Sequence, residues 1–371
     1  EFIGVEGGSV FILMFNLSIY SVIERIRAKS NYLKGYVLLG ISASPFIISL
    51  FMQKPDSIAK NDRLNIAVLH TNFEAYSSEN HLHPEKVTRQ LLNLSVAGSS
   101  GKEETIISNC GWLTNQQADT TCKILSDFYK IKKPTFALCI GGYAFSVNYF
   151  GEEDPYAQYE PNRRFYYNTH NVALTYVDST LPKIRSKEIF VPFQERIPYL
   201  KKMPFMKYLA DVVGANTKVS YYEDGTEIHE TMLKNKFIPI LCYESIFPLY
   251  LSQKAEDIHF YSILANEYWN KNIKGSEQYL YTNVGIAIQS RIPIIRSSNG
   301  GVSAIIDKNG QIVASTKGKS QGLLHGNVVK KTDKTFYDSI HGIFYGIAAF
   351  GGIGIFLISL FQKIFQEKKT K

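Results

Sequence analysis

Cys242 closes the apolar run Phe237–Tyr243 (FIPILCY) and is followed by Tyr243, Glu244 and Ser245. A cysteine at a strand end stands at a sheet edge, held in position by the strand behind it. The chemistry on offer is nucleophilic. Only a thiolate attacks well, and an ordinary cysteine with a pKa of about 8.5 is only a few per cent ionised at pH 7. On this segment alone, the commoner fate of a lone cysteine is favoured, a buried structural thiol. The chain holds four cysteines and no CxxC pair, so neither a disulfide scaffold nor a metal site is expected. Other chemistry-bearing segments flank Cys242 in order. Arg185-Ser186-Lys187 and Val191–Pro198 (VPFQERIP) precede it. Asn266-Glu267-Tyr268-Trp269, Gln278, Arg291 and Arg296–Gly301 (RSSNGG) follow.

These residues need a scaffold, and the apolar patterning supplies one. Short runs rich in β-branched residues predict strands at Leu64–Leu69, Thr135–Ile140, Asn168–Val177, Phe237–Tyr243, Phe260–Asn266 and Ile292–Arg296. Val302–Ile306 and Gln311–Ala314 predict two more, joined by the Asp307-Lys308-Asn309-Gly310 turn. Val87, Leu91, Leu92 and Leu94 give Pro84–Ala97 helical spacing, and a second helix is expected near Gln278–Ser290. Strands alternating with helices argue for a layered α/β body.

The chain has 371 residues, 45% of them apolar, and a net charge of +8. Most of that excess sits in two stretches: Arg25, Arg27, Lys29 and Lys34, and the tail Lys363–Lys371. The body between them is close to neutral, so no nucleic-acid partner is expected. Both basic stretches flank apolar runs. Tyr36–Met52 has no charge, Ile340–Phe361 has only His341, and Phe2–Val22 contains Glu6 and Asn16. A membrane span needs about 20 apolar residues. Basic flanks face the cytoplasm, so residues 54–337 are expected outside it. The predicted organisation is residues 1–53 as two transmembrane helices ending a larger membrane domain, 54–337 as an extracytoplasmic domain, and 338–371 as a C-terminal span with a basic tail. The first run lacks the basic start and small-residue cleavage site of a signal peptide.

Four segments, RSKEIFVPFQERIP, LCYESIFP, NEYWNKNIKGSEQY and RSSNGGVSAIID, resemble in order the motifs of the nitrilase (carbon–nitrogen hydrolase) superfamily. Within it they are similar to the apolipoprotein N-acyltransferase family, whose segments read YxKxxLVPFGExxP, ICYE, NDxWW…QH and RSxNxGxSAxID. Gly4–Asn16 and the HTNFEAY stretch also resemble parts of that family. The resemblance implies an αββα sandwich flanked by transmembrane helices, with a Glu–Lys–Cys triad. It makes Cys242 the nucleophile and Lys187 the triad lysine. Glu195 and Glu244 become supporting acids, and Tyr243 the neighbour whose N–H helps to hold an oxyanion. Trp269 and Asn299 become substrate-binding residues. No cofactor is implied.

The third triad member departs from the pattern. The family's general-base Glu follows Pro at a strand end, and here Asn109-Cys110 occupies those positions. Gln289, Tyr279 and Glu267 replace a Glu, a His and an Asp of the family motifs. Losing a general base typically costs about 10²–10⁴-fold in rate. The resemblance implies acyl transfer from a membrane phospholipid, through a Cys242 thioester, to the N-terminal cysteine amine of a lipoprotein, in the inner membrane. Two alternatives stay open: a degenerate pseudoenzyme that binds lipid or lipoprotein, and a tethered nitrilase-type amidase.

Overall fold

The computed structural model describes residues 4–51, 62–74, 84–109, 115–147, 153–162, 164–200, 227–270, 273–316, 320–331 and 334–340, with scattered residues in 202–219 and 342–359. Backbone contacts divide the chain into two units, Met52–Asp333 and the two ends Glu1–Phe51 with Lys334–Lys371.

In the terminal unit, α1 (Gly4–Arg27) and α2 (Leu33–Phe51) form a hairpin. At 1.5 Å per residue they are about 36 and 28 Å long, against about 30 Å for a bilayer's hydrocarbon core. Both are long and apolar enough to cross a membrane, and little of their surface is buried within the unit. They touch where side chains are small: a Cβ on Gly35 would meet Val22 at 3.0 Å. Ser42 donates a 3.3 Å hydrogen bond to Ser18. Residues 336–340 are helical, and the Tyr337 hydroxyl donates to the Glu6 carboxylate at 2.9 Å. Most of the Ile340–Phe361 run lies outside the described residues.

The larger unit is a sandwich of two sheets. The first joins β1 (Arg63–His70), β2 (Thr105–Asn109), β3 (Ala137–Val147), β4 (Gln158–Glu160), β5 (Phe165–Tyr176), β6 (Lys183–Ser186) and β13 (Gly322–Val329). Its order is β13-β1-β2-β3-β5-β4, with β6 also on β5. The second runs β12-β11-β10-β9-β8-β7. Its strands are β7 (His229–Glu230), β8 (Lys236–Leu241), β9 (Phe260–Asn266), β10 (Ile294–Asn299), β11 (Ala304–Ile306) and β12 (Ile312–Ser315).

Successive strand residues point to opposite faces, and both faces of the first sheet are apolar. Leu64, Ile66, Val68, Ile107 and Cys139 pack against Phe237, Leu241, Phe260, Leu264 and Ile295 of the second sheet. Ala67, Leu69, Ile106 and Leu138 face the other way, onto Val87, Leu91, Leu125 and Tyr129. Those four lie on α3 (Pro84–Gly98) and α4 (Asn115–Lys132). A short α5 (Pro248–Gln253) follows β8, and α6 (Ile273–Ser290) covers the second sheet near β10 and β11. The layers are therefore helix, sheet, sheet, helix, a nitrilase-like α/β fold.

The expected strands and helices are present, with ends shifted by a few residues. Gly310, at φ +82, closes the β11–β12 turn with its N–H on the Asp307 carbonyl. Strands β8, β9 and β10 are parallel. Their carboxyl ends therefore meet at one edge, where open α/β sheets place their ligands.

Candidate active site

Cys242 is the first residue after β8 and opens a single 3-10 turn, Cys242–Ile246. Its φ of +48 puts it in the left-handed region, which costs a residue with a Cβ about 1–2 kcal/mol. The turn is held from two sides. The Ser245 hydroxyl donates to the Cys242 carbonyl at 2.7 Å, and Asn283 of α6 donates to the Ser245 carbonyl at 3.1 Å. Tyr243 follows with its ring edge-on to Phe247 at 5.0 Å. N–H groups at the start of a helical turn have no partner within it, so this turn offers donors beside the sulfur.

Lys187 is the first residue past β6, and its N–H extends the ladder to the Asn171 carbonyl at 2.9 Å. Its side chain is fully buried, with Nζ 2.7 Å from both carboxylate oxygens of Glu195. Glu195 also accepts from the Val191 N–H at 2.8 Å and the Asn171 side chain at 3.2 Å. Two buried ions stripped of water cost several kcal/mol each unless paired and hydrogen-bonded, and here both conditions are met.

Burial pushes the Cys242 thiol above its ordinary value. The Lys187 ammonium pulls it down, and the carboxylates of Glu195 and Glu267 push it up again. Lys187 and Glu195 are thus close enough for their charges to act on the sulfur. Glu244 is equally buried but differently used. Burial works against its charge, yet Arg185 and backbone donors hold its carboxyl below the usual range. Glu244 is a fixed anion that ties backbone segments together.

A second buried ion pair lies one strand over. Glu267, just past β9, pairs with Arg296 of β10 and accepts from the Ser298 hydroxyl at 2.9 Å. Arg296 reaches the Asn283 side chain at 2.9 Å and the Val302 carbonyl at 3.1 Å. Gly301 makes room for this pair, since a Cβ there would run into the Glu267 carboxylate and the Ser298 hydroxyl. Tyr279 of α6 sits one turn before Asn283, on the face that meets the nucleophile turn. Burial, then the charges of Cys242 and Glu267, push its phenol up, so it keeps its proton.

The two residues expected to bind substrate are placed differently. Trp269 is 54% exposed in the turn after β9, three residues from Asn266 at that strand's end. Asn299 is fully buried and its amide is saturated. It accepts from Thr71 and the Phe73 N–H at 3.0 and 2.6 Å, and donates to the Phe73 carbonyl and Asn266 at 2.9 and 3.1 Å. That geometry fastens a loop. Gln289 likewise bonds Ser252 at 2.9 Å. Cys110 lies outside the described residues, just beyond the carboxyl end of β2. Glu103 and Glu104 sit at the opposite end of that strand, occupied by Ser99, Ser100, Asn65, Thr231 and Asn235. Asn171, Asn283 and Tyr250 join the site without having been singled out. Arg185 stands in the Arg185-Ser186-Lys187 segment, where the sequence alone gives it no role of its own.

Residues 180–334 match the family model described as carbon-nitrogen hydrolase. A curated apolipoprotein N-acyltransferase of Rickettsia prowazekii is 29% identical over 146 residues, 39% of this chain and 28% of that protein. One from Borreliella burgdorferi is 27% identical over 194 residues, 52% of this chain and 36% of that protein. Over these stretches the chain is similar to the apolipoprotein N-acyltransferases. The matched stretch spans about a third or less of those relatives. Among solved structures, an amidase from Nesterenkonia sp. superposes with a TM-score of 0.51 at 12% identity, covering 79% of this chain and 99% of the amidase. At that identity the likeness concerns the fold alone. The carbon-nitrogen hydrolase match encloses Lys187, Glu195, Cys242, Glu267 and Arg296.

Proposed function

We propose that the protein is a membrane-bound N-acyltransferase. In the first step the Cys242 sulfur attacks the ester carbonyl of a membrane phospholipid. The thiol proton goes to the departing lysophospholipid alkoxide, and an acyl thioester remains. In the second step the α-amine of a lipoprotein's N-terminal cysteine attacks the thioester. Its proton returns to the sulfur, giving an amide and a free thiol. This is covalent ping-pong catalysis. Lys187 stabilises the thiolate and, with the Tyr243 N–H, the tetrahedral oxyanion.

The observation that supports this reading most is that the buried Lys187–Glu195 pair, at the end of a first-sheet strand, acts electrostatically on Cys242, at the end of a second-sheet strand, in a chain similar to curated proteins of that name. The apolar helices support it: α1 and α2 suit a bilayer, where a phospholipid and a lipoprotein both reside. On this reading α1, α2 and the Ile340–Phe361 run cross the inner membrane, with Lys29 and the tail inside and the catalytic unit outside.

The pseudoenzyme reading has one observation in its favour, the Asn109-Cys110 pair where the family motif has Pro-Glu. A single experiment separates the acyltransferase, amidase and pseudoenzyme readings. Membranes containing the protein are incubated with phospholipid and a diacylated lipopeptide, and acyl-Cys242 is sought by mass spectrometry. A thioester with transfer supports the acyltransferase. A thioester that only hydrolyses supports an amidase-like enzyme, and lipopeptide binding with no adduct supports the pseudoenzyme. Cys110→Glu should raise the acylation rate by about 10²-fold or more if position 110 takes the missing base. An unchanged rate would remove that placement.

A further inference from the structure

Arg185 lies on β6, two residues before Lys187, and is 2% exposed. Its Nη1 lies 2.9 Å from Glu244 Oε2, and its Nη2 donates to the Tyr250 hydroxyl. The Glu244 carboxylate it grips accepts backbone N–H groups from both halves of the site. Oε1 accepts from Glu188 at 2.6 Å and from Ile189 at 3.3 Å, and Oε2 accepts from Leu241 at 2.8 Å. One carboxylate therefore joins the residue after Lys187 to the residue before Cys242.

That junction depends on charge. A carboxylate with no exposed surface takes up a proton unless a cation compensates it. A protonated oxygen becomes a donor and releases one of the N–H groups. Arg185 prevents this, and its planar fork also fixes the direction of the carboxylate.

We propose that Arg185 is a positioning residue which, through Glu244, fixes the Lys187 ammonium against the Cys242 sulfur and so sets how readily that sulfur ionises. Among the described residues, the charged and titratable groups around the sulfur are Lys187, Glu195, Glu267, Tyr243 and Tyr279. Those around Glu244 are Arg185, Glu188 and Tyr250. Arg185 therefore acts on the sulfur through geometry, by way of the segment that carries Lys187. The inference rests on the proposed Cys242–Lys187 chemistry.

The test is the pH dependence of iodoacetamide alkylation at Cys242, followed by peptide mass spectrometry on the full chain in detergent. Arg185→Gln should raise the midpoint by about one pH unit, which slows alkylation about tenfold at neutral pH. Arg185→Lys should recover part of the shift, since it restores the charge without the fork. Tyr250→Phe should give a smaller shift in the same direction. A midpoint equal to that of the parent protein in folded Arg185→Gln overturns the proposal. Should that variant fail to fold, an unmoved midpoint in Tyr250→Phe does so. Lys187→Met separates the two levels of argument. If it leaves the midpoint in place, the Cys242–Lys187 reading itself falls. If it moves the midpoint and Arg185→Gln does not, only the role of Arg185 falls.

Discussion

Lys187 and Glu195 are the two groups whose removal should be felt most, because each is the other's opposite charge in a buried place. Breaking a buried ion pair by deleting one partner costs about 3–5 kcal/mol. Lys187→Met should lower the unfolding free energy by that amount, measured by urea titration in detergent. Adding Glu195→Gln to it should restore much of the loss, because no lone charge is then left inside. If the double variant is as unstable as the single one, the pair is not the source of the cost. Acid reveals a different residue. Burial alone would raise the Glu103 carboxyl, but donors from Ser100 and Ser99 outweigh it and hold it from 4.5 down to about 2. The folded protein therefore binds this proton less tightly than the unfolded chain. The stabilisation is complete above pH 4.5 and is lost as the pH falls through about 2. Glu103→Gln should flatten stability against pH across that window, and an acid limb as steep as the parent's would rule out Glu103 as its source.

Elements set these residues in place through their ends, and the turn after β10 shows how little room they leave. A Cβ on Gly301 would strike the Glu267 carboxylate and the Ser298 hydroxyl. Gly301→Ala should cost about 1–3 kcal/mol by overpacking. It should also displace Glu267 and change Cys242 alkylation. Wild-type stability and labelling together would contradict this account of the turn. The same logic explains what could be read in advance. Cys242 and Asn266 stand where apolar runs stop, and a run's end is visible in sequence, whereas Lys187 follows the polar strand β6 and is legible only through the motif around it. Asn171, Asn283 and Tyr250 carry no such mark, since their partners lie 24, 38 and 65 residues away. α4 escaped notice because its buried stripe is narrow, with Leu125 and Tyr129 among polar neighbours. β13 escaped because glycine, histidine and asparagine interrupt an edge strand that is half exposed. β10 begins two residues later than expected, past Pro293, which has no N–H to give a ladder.

The whole chain puts a nearly neutral α/β unit between two basic, apolar ends, and that distribution makes a directional claim. α1 and α2 present Val10, Leu13, Leu17, Ile47 and Leu50 outward within their own unit, a surface that water disfavours by roughly 25 cal/mol per Å². The Tyr337–Glu6 hydrogen bond joins the first turns of α1 and of the helical residues 336–340. Helices that share their amino-terminal level run the same way, so a span continuing from 340 would cross in the direction of α1 and opposite to α2. On the proposed topology the chain between α2 and residue 334 would begin and end on one face of the membrane, with the loop around Lys29 and the tail on the other. Trypsin added to intact spheroplasts should cut the catalytic unit while sparing a tag on the C-terminus and the Lys29 loop. In inverted vesicles the pattern should reverse. A tail cut from the same side as the catalytic unit would mean that the Ile340–Phe361 run does not cross.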